Sequence, residues 1–333
     1  MPKIREPGSI GADVRRASAM LRGGAVVAFP TETVYGLGAD AANAKAVAKI
    51  FALKGRPAAH PLIVHFADPL AIGDWALEIP DAARALAGRF WPGPLTMILK
   101  KSARVPLEVT GGQETVGLRC PSHPMAQELL REFARIGSGA VAAPSANKFG
   151  HVSPTTAAHV RDEFGADLFI LDGGACEVGL ESTIVDLSRG DAVLLRPGGI
   201  SREDIARALG EKLRDRDLAA PRASGTLDAH YAPRTALALV DAGELAAELR
   251  LPANIAVLAL GEPPPTAHVT SWIRADATPV SYGHELYANL RKLDASGAKR
   301  ILVEAPPATP EWEAVNDRLA RSAAGTLAND DEP

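Results

Sequence analysis

Lys54 and Arg56 flank a single glycine in Lys54-Gly55-Arg56-Pro57, just after a helical stretch that begins near Asn43 and just before the apolar run from Pro61 to Phe66. A guanidinium that binds bidentately, with a compact ammonium two positions away, suits a polyphosphate. The plainer reading is that both cations complement the C-terminal dipole of the preceding helix, and for this motif alone that reading is the stronger one.

The same kind of placement recurs along the chain. The β-branched, apolar run Ala25-Val26-Val27-Ala28-Phe29 stops at Pro30, which cannot donate to a sheet ladder, and the next residues are Thr31, Glu32, Thr33 and Tyr35. Hydroxyls there stand outside the carboxyl end of a strand, where open α/β sheets hold their ligands. Gly36 and Gly38 read as closing that loop ahead of the helix near Asn43. Ala143-Pro144-Ser145-Ala146-Asn147 follows the apolar run from Ala140, and its short polar side chains let a backbone approach a phosphate or ribose. In Thr115-Val116-Gly117-Leu118-Arg119 the period of two puts Thr115 and Arg119 on one strand face, and Arg119 is a candidate carboxylate partner. Ser182 opens the run Ile184-Val185-Asp186, and Arg196 ends another at a Pro-Gly-Gly turn. His65 lies inside an apolar run, where a satisfied core histidine is the common case.

Several chemistries lack their residues. There is no HExxH, no paired His/Cys spacing, no GxSxG and no GxxxxGK[ST], so zinc hydrolysis, a serine triad and a P-loop have no support. Gly36-Leu37-Gly38-Ala39-Asp40-Ala41 matches GxGxxA, but no acidic residue occurs between Asp40 and Asp68, where a ribose-binding carboxylate belongs. Cys120 and Cys176 are the only cysteines, outside any CxxC spacing, which fits a reducing compartment. A formal net charge of -4 excludes a globally basic nucleic-acid binder. The first ten residues hold no apolar signal core and no apolar run approaches ~20 residues, so the expectation is a cytoplasmic protein with no membrane contact.

The elements that must position these residues follow from periodicity. At 333 residues and 47% hydrophobic, the chain can fill two cores. Strand-like runs fall at 25–29, 61–66, 95–99, 115–120, 140–143, 168–171, 182–187 and 192–196, with helical spacing between them, which predicts a mixed α/β domain over 1–211. Asn43 and Ser201 read as N-caps, a helix carries Met125, Leu129, Leu130 and Phe133, and Ser153-Pro154 reads as a cap with a first-turn proline. A charged, Pro- and Gly-containing stretch at 212–234 reads as a linker. Runs at 236–240, 254–260 and 300–304 alternating with helical stretches predict a second, smaller α/β domain over 235–333, ending in a polar tail at 329–332.

Taken together, PTETVYGLG (30–38), KGRP (54–57), PLIVHF (61–66), WPGPLT (91–96), GLRCP (117–121), APSAN (143–147), ESTIVDL (181–187) and LRPGGIS (195–201) resemble, in this order, the threonylcarbamoyl-AMP synthase family. HYAP at 230–233 before a second α/β domain resembles its long form. The resemblance implies a YrdC-like fold, a twisted mixed open sheet with flanking helices, and a Rossmann-like C-terminal α/β domain. It implies condensation of L-threonine, bicarbonate or CO2 and ATP to threonylcarbamoyl-adenylate and pyrophosphate. The product would pass to a tRNA threonylcarbamoyl transferase complex for modification beside the anticodon, with at most a weak tRNA contact by this chain. Threonine-binding positions of the family fall on Thr33, His65, Arg119, the backbone at Ala143, and Ser182. ATP-binding positions fall on Lys54, Arg56, Thr115, Ser145, Asn147, Ser153, Arg196 and Tyr231, with His60 in the place of a family asparagine. Lys54, Arg56 and Arg196 are expected to stabilise phosphate charge in the reaction, with Mg²⁺ entering with ATP and no metal held by side chains alone. The 212–234 linker is expected to act as a lid. An RNA-binding module on the same fold is the main alternative, and two isolated cysteines separate the chain from carbamoyltransferases that add cysteine-rich modules.

Overall fold

The computed structural model describes residues 7–250, 254–265 and 267–329; residues 330–332 of the polar tail lie outside them. Two compact units are present: Met1–Phe149, Thr155–Glu177 and Glu181–Ser224 form one, and Gly150–Pro154, Val178–Leu180 and Gly225–Pro333 form the other. The division thus falls at 224/225, within the stretch read as a linker, and two short inner segments group with the second unit.

Among the described residues the first unit contains ten strands: β1 (Val27–Phe29), β2 (Gly36–Asp40), β3 (Ile63–His65), β4 (Leu95–Lys100), β5 (Thr115–Arg119), β6 (Val141–Ala143), β7 (Phe169–Ile170), β8 (Thr183–Asp186), β9 (Val193–Arg196) and β10 (Arg214–Asp215). They form one mixed sheet in the order β10-β9-β8-β4-β5-β3-β6-β2-β1-β7. Next to β5, β3 is parallel and β4 antiparallel, with Ile63 and Ile98 both opposite Gly117.

One face of the sheet packs Leu37, Val64, Met97, Leu118 and Val185 under Val47 and Ile50 of the helix Ala44–Lys54, Leu86 of Asp81–Phe90, Val160 of Ala157–Phe164 and Ile205 of Arg202–Leu209. Each such side chain contributes roughly 1.5–3 kcal/mol when fully buried. The opposite face carries two separate apolar patches. Val27, Phe29, Val141 and Ala143 lie under Val14, Ala17 and Leu21 of the helix Pro7–Arg22 and Leu129, Leu130 and Phe133 of Pro124–Ile136. Farther along, Ile63, Ile98, Ile184 and Leu195 pack with Ala223.

Three local readings change. Gly36 and Gly38 do not close a loop: they open β2, which pairs antiparallel with β1 and β6. A Cβ on Gly38 would stand 2.6 Å from Val141 Cγ1 and 2.8 Å from Phe29 Cε1, so these glycines make room for the Phe29 ring. Ser153-Pro154 does not start a helix; Thr156 does, accepting from the His159 N–H at 3.2 Å ahead of Ala157–Phe164. The helix Pro7–Arg22 has no counterpart in the periodicity reading.

The second unit has four strands among the described residues, β11 (Ala236–Val240), β12 (Ile255–Ala259), β13 (Ser271–Arg274) and β14 (Arg300–Glu304), all paired in parallel in the order β11-β14-β12-β13. Parallel strands need long crossovers, and those from β11 to β12 and from β13 to β14 are helical, whereas β12 runs to β13 without a helix among the described residues. The helix Ala242–Glu248 starts on a capping box between Asp241 and Glu244, and Pro279–Asp294 starts on Thr278 with Pro279 in its first turn. Val240, Ile255, Val257 and Leu302 form its core.

Candidate active site

The helix Ala44–Lys54 begins where Asn43 Oδ1 accepts from the Ala46 N–H at 3.1 Å, and it stops where Gly55 adopts the left-handed conformation at φ 65°. That C-cap fixes the exit of Lys54 and Arg56. Lys54 is 2% exposed, and its Nζ donates to the carbonyls of Ser145, at 2.7 Å, and of Asn147. The Phe149 N–H returns a bond to the Lys54 carbonyl at 3.0 Å. Burial, then the Arg56 charge, holds the Lys54 amine well below the usual lysine range. Arg56 Nη2 donates to the Pro61 carbonyl at 3.0 Å, its guanidinium carbon stands 5.9 Å from the Phe149 ring centre, and the His60 ring lies 5.4 Å from that ring. Burial, then the charges of Arg56 and Arg222, lowers the His60 pKa. Extending the strand registers by two residues puts Pro61 beside Thr115 on β5 and Ser145 after β6. Lys54, Arg56, His60, Thr115, Ser145 and Asn147 thus meet at one corner of the sheet. The segment after Ala143 is stitched to β2, with Leu37 N–H donating to the Pro144 carbonyl and Ala146 N–H to the Tyr35 carbonyl.

Arg119 ends β5 four residues beyond Thr115, about 13 Å away at the usual strand rise. It pairs in register with His65 on β3, and His65 in turn with Val141. His65 Nδ1 lies 3.0 Å from the Ile63 carbonyl and the ring stands edge-on to Phe29 with centres 6.0 Å apart. Burial, then the Arg119 charge, pulls the His65 pKa down to about 3, so the imidazole is neutral at physiological pH. The loop after β1 reaches this corner. Thr31 Oγ1 lies 2.8 Å from Thr33 Oγ1, donates to the Val34 carbonyl at 2.6 Å and accepts from the Val34 N–H at 3.2 Å, a turn that presents Glu32. Glu32 Oε1 is 2.8 Å from Arg119 Nη2, with both side chains buried.

Met97 pairs with Leu118, so Thr96 stands beside Arg119 one step on. Its hydroxyl is 2.8 Å from Ser182 Oγ, and Arg196 Nη2 donates to that Oγ at 3.2 Å. Arg196 also donates through Nε and Nη2 to the Ser182 carbonyl, at 3.1 and 2.8 Å, and through Nη1 to Ser224 at 2.8 Å. These acceptors fix the plane of the guanidinium. Gly198 lets the turn after Arg196 lie on this strand start: a Cβ there would meet the Glu181 carbonyl oxygen and the Thr183 nitrogen at 2.4 Å.

The first unit therefore holds Thr33, Lys54, Arg56, His60, His65, Thr115, Arg119, Ala143, Ser145, Asn147, Ser182 and Arg196, on the strands of one sheet or on the loops and helix end beside them. Ser153 and Tyr231 belong to the second unit. There, Tyr231 adopts φ 62°, a conformation that costs an L-residue roughly 1 kcal/mol or more. It is over-determined by packing: its carbonyl accepts from Ser322 Oγ at 2.9 Å, and the Arg318 guanidinium stands 5.3 Å from its ring centre. Thr96 is a site group with no counterpart in the sequence expectations, and Glu32 is placed by them in the ligand-facing loop without a role of its own. A lone acid between two threonines, just past a buried strand, was the available signal for Glu32. For Thr96 the signal was strand pairing, which one sequence does not reveal.

Residues 19–198 match the Sua5, yciO and yrdC family model described as "Telomere recombination", and residues 200–324 match the model described as "Threonylcarbamoyl-AMP synthase, C-terminal domain". The threonylcarbamoyl-AMP synthase of Bacillus subtilis is 40% identical over 332 residues, covering 94% of each chain. That of Pyrococcus abyssi is 45% identical over 234 residues, covering 68% of each. Among solved structures, P. abyssi Sua5 complexed with L-threonine superposes with a TM-score of 0.84 at 36% identity over 95% of each chain. Two adjoining family models and near full-length identity agree with the order of motifs and with the sheet that carries them: the chain belongs to the threonylcarbamoyl-AMP synthase family.

Proposed function

We propose that this chain works in the cytoplasm, condensing L-threonine, bicarbonate or CO2 and ATP into threonylcarbamoyl-AMP and pyrophosphate. The product then passes to a tRNA threonylcarbamoyl transferase complex. The observation that carries this reading is the pairing of two differently charged corners at the two ends of β5. Lys54 and Arg56 bond to backbone carbonyls at one end, and Arg119 faces Glu32 at the other.

The threonine amine must be neutral to attack CO2, and an oxygen of the resulting carbamate then attacks the α-phosphate, expelling pyrophosphate. Little covalent work falls to the protein, so positioning and charge stabilisation dominate. Arg119 clamps the amino-acid carboxylate, and Thr33, the neutral His65, the backbone at Ala143 and Ser182 read its remaining polar groups. Lys54, Arg56 and Arg196 hold the phosphate oxygens on which charge develops. Thr115, Ser145, Asn147 and His60 contact the nucleotide. Mg²⁺ would enter on the ATP phosphates, where it neutralises charge. No helix among the described residues is long and apolar enough to cross a membrane. The -4 net charge leaves room for only a local, weak tRNA contact.

The test is pyrophosphate release with threonine, with serine and with no amino acid, in wild type and Arg56→Ala. Threonine-dependent release that collapses in Arg56→Ala supports the reading. Equal rates throughout would contradict both the substrate and the site.

A further inference from the structure

The Glu32–Arg119 contact is close yet incompletely used. Both side chains are at most 5% exposed and their charged atoms stand 2.8 Å apart. Even so, neither carboxylate oxygen of Glu32 and neither Nε nor Nη2 of Arg119 makes an aligned hydrogen bond. A buried polar atom left in that state costs about 1–3 kcal/mol, and more when charged. Such atoms on a paired carboxylate and guanidinium are complementary to a zwitterion, whose carboxylate fits the arginine and whose ammonium fits the glutamate.

Resting on the synthase reading above, we propose that Glu32 binds the α-ammonium of the amino-acid substrate and accepts the proton it must lose before its nitrogen attacks CO2. In that step a substrate N–H bond breaks and its proton moves to a Glu32 oxygen. The freed nitrogen pair forms the N–C bond to CO2 while a C=O pair moves onto oxygen. A second N–H proton leaves to solvent, giving the carbamate, and Glu32 later returns its proton to solvent.

The neighbouring groups are poor substitutes. His65 is a weak base, with its pKa near 3. Burial raises the Cys120 thiol to about 11 and the Cys176 thiol to about 12. Arg119 has no basic atom, and His123 Nδ1 is occupied, accepting from the Met125 N–H at 3.2 Å as the cap of the helix Pro124–Ile136. Glu177, on the loop after β7, bears on Cys176 and His123 and adds only negative charge to that side.

Two measurements on the full-length chain test the assignment. The first compares calorimetric affinity for L-threonine with that for its analogue carrying a hydroxyl in place of the amine, in wild type and Glu32→Gln. Wild type should prefer threonine at least tenfold, and Glu32→Gln should bind the two ligands about equally. The second follows kcat/KM against pH. Glu32→Gln should lose about a hundredfold at pH 7, and the loss should shrink as pH rises past about 8, where α-amines shed their proton unaided. Equal weakening of both ligands, or a loss independent of pH, would overturn the proposal and leave Glu32 a structural partner of Arg119. If Glu32→Gln does not fold, the wild-type ratio decides: tenfold supports the assignment and unity overturns it. Wild type that binds neither ligand and releases no threonine-dependent pyrophosphate would overturn the synthase reading itself, an outcome distinct from a lost amine preference.

Discussion

The Lys54–Arg56 corner and the Glu32–Arg119 corner lie at opposite ends of β5 and treat buried cations in opposite ways. At the first, a C-capped helix end delivers Lys54 and Arg56 side by side onto backbone carbonyls, which orient them. At the second, a strand-end arginine faces a carboxylate, so the pair is neutral overall and retains unfilled hydrogen-bonding capacity. The contrast separates their ligands. A polyanion gains most where an ammonium and a guanidinium converge, and a zwitterion where charges of both signs are already fixed.

The largest effect expected on breaking the contrast comes from Arg119→Met. It strands the buried Glu32 carboxylate and should cost about 3–5 kcal/mol in urea unfolding, with loss of threonine binding. Glu32→Gln with Arg119→Met should recover most of that stability without recovering activity, because an uncharged pair no longer pays for desolvation.

The acid limb of stability comes next. His65 has a folded pKa near 3 against an ordinary value of 6.5, so between these values the unfolded chain binds a proton that the folded one does not. Stability therefore falls as pH drops through this window, by about 4 kcal/mol at pH 3. His65→Gln should flatten that part of the profile, measured as urea midpoints from pH 7 to pH 3.

A smaller loss follows from closing a gap in the backbone. Gly198→Ala pushes a Cβ into the Glu181 carbonyl and should cost about 1–3 kcal/mol in thermal unfolding, with a raised KM for threonine through displaced Ser182. Smallest is Asn43→Ala, which removes the cap of the helix that presents Lys54 and should cost about 1 kcal/mol with both KM values nearly unchanged.

Much of the first unit was legible because its strands are apolar runs bounded by Pro and Gly, as at Val27–Phe29 and Leu95–Lys100. The strand β2 was not: Gly-Leu-Gly-Ala-Asp lacks β-branched residues, and its glycines are set by the Phe29 ring, a partner that local sequence does not announce. The Asn43 and Ser201 caps were readable because a cap acts within three residues. Ser153-Pro154 misled because a Ser-Pro pair also suits extended backbone, and Thr156 served as the cap instead. In the second unit, β13 (Ser-Trp-Ile-Arg) was missed since it runs from half-buried residues to an exposed Arg274 and shows no clear alternation. Within the site, cations and hydroxyls at strand ends stood out by type. The Glu32–Arg119 contact joins residues 87 positions apart and needed the fold.

The most direct test of the two-corner account is a cross of KM values for pyrophosphate release, with Lys54→Met and Arg119→Lys each titrated against ATP and against threonine. The account predicts that Lys54→Met raises the KM for ATP at least tenfold while leaving that for threonine within about twofold, and that Arg119→Lys does the reverse. Two variants that raise both KM values alike would contradict it.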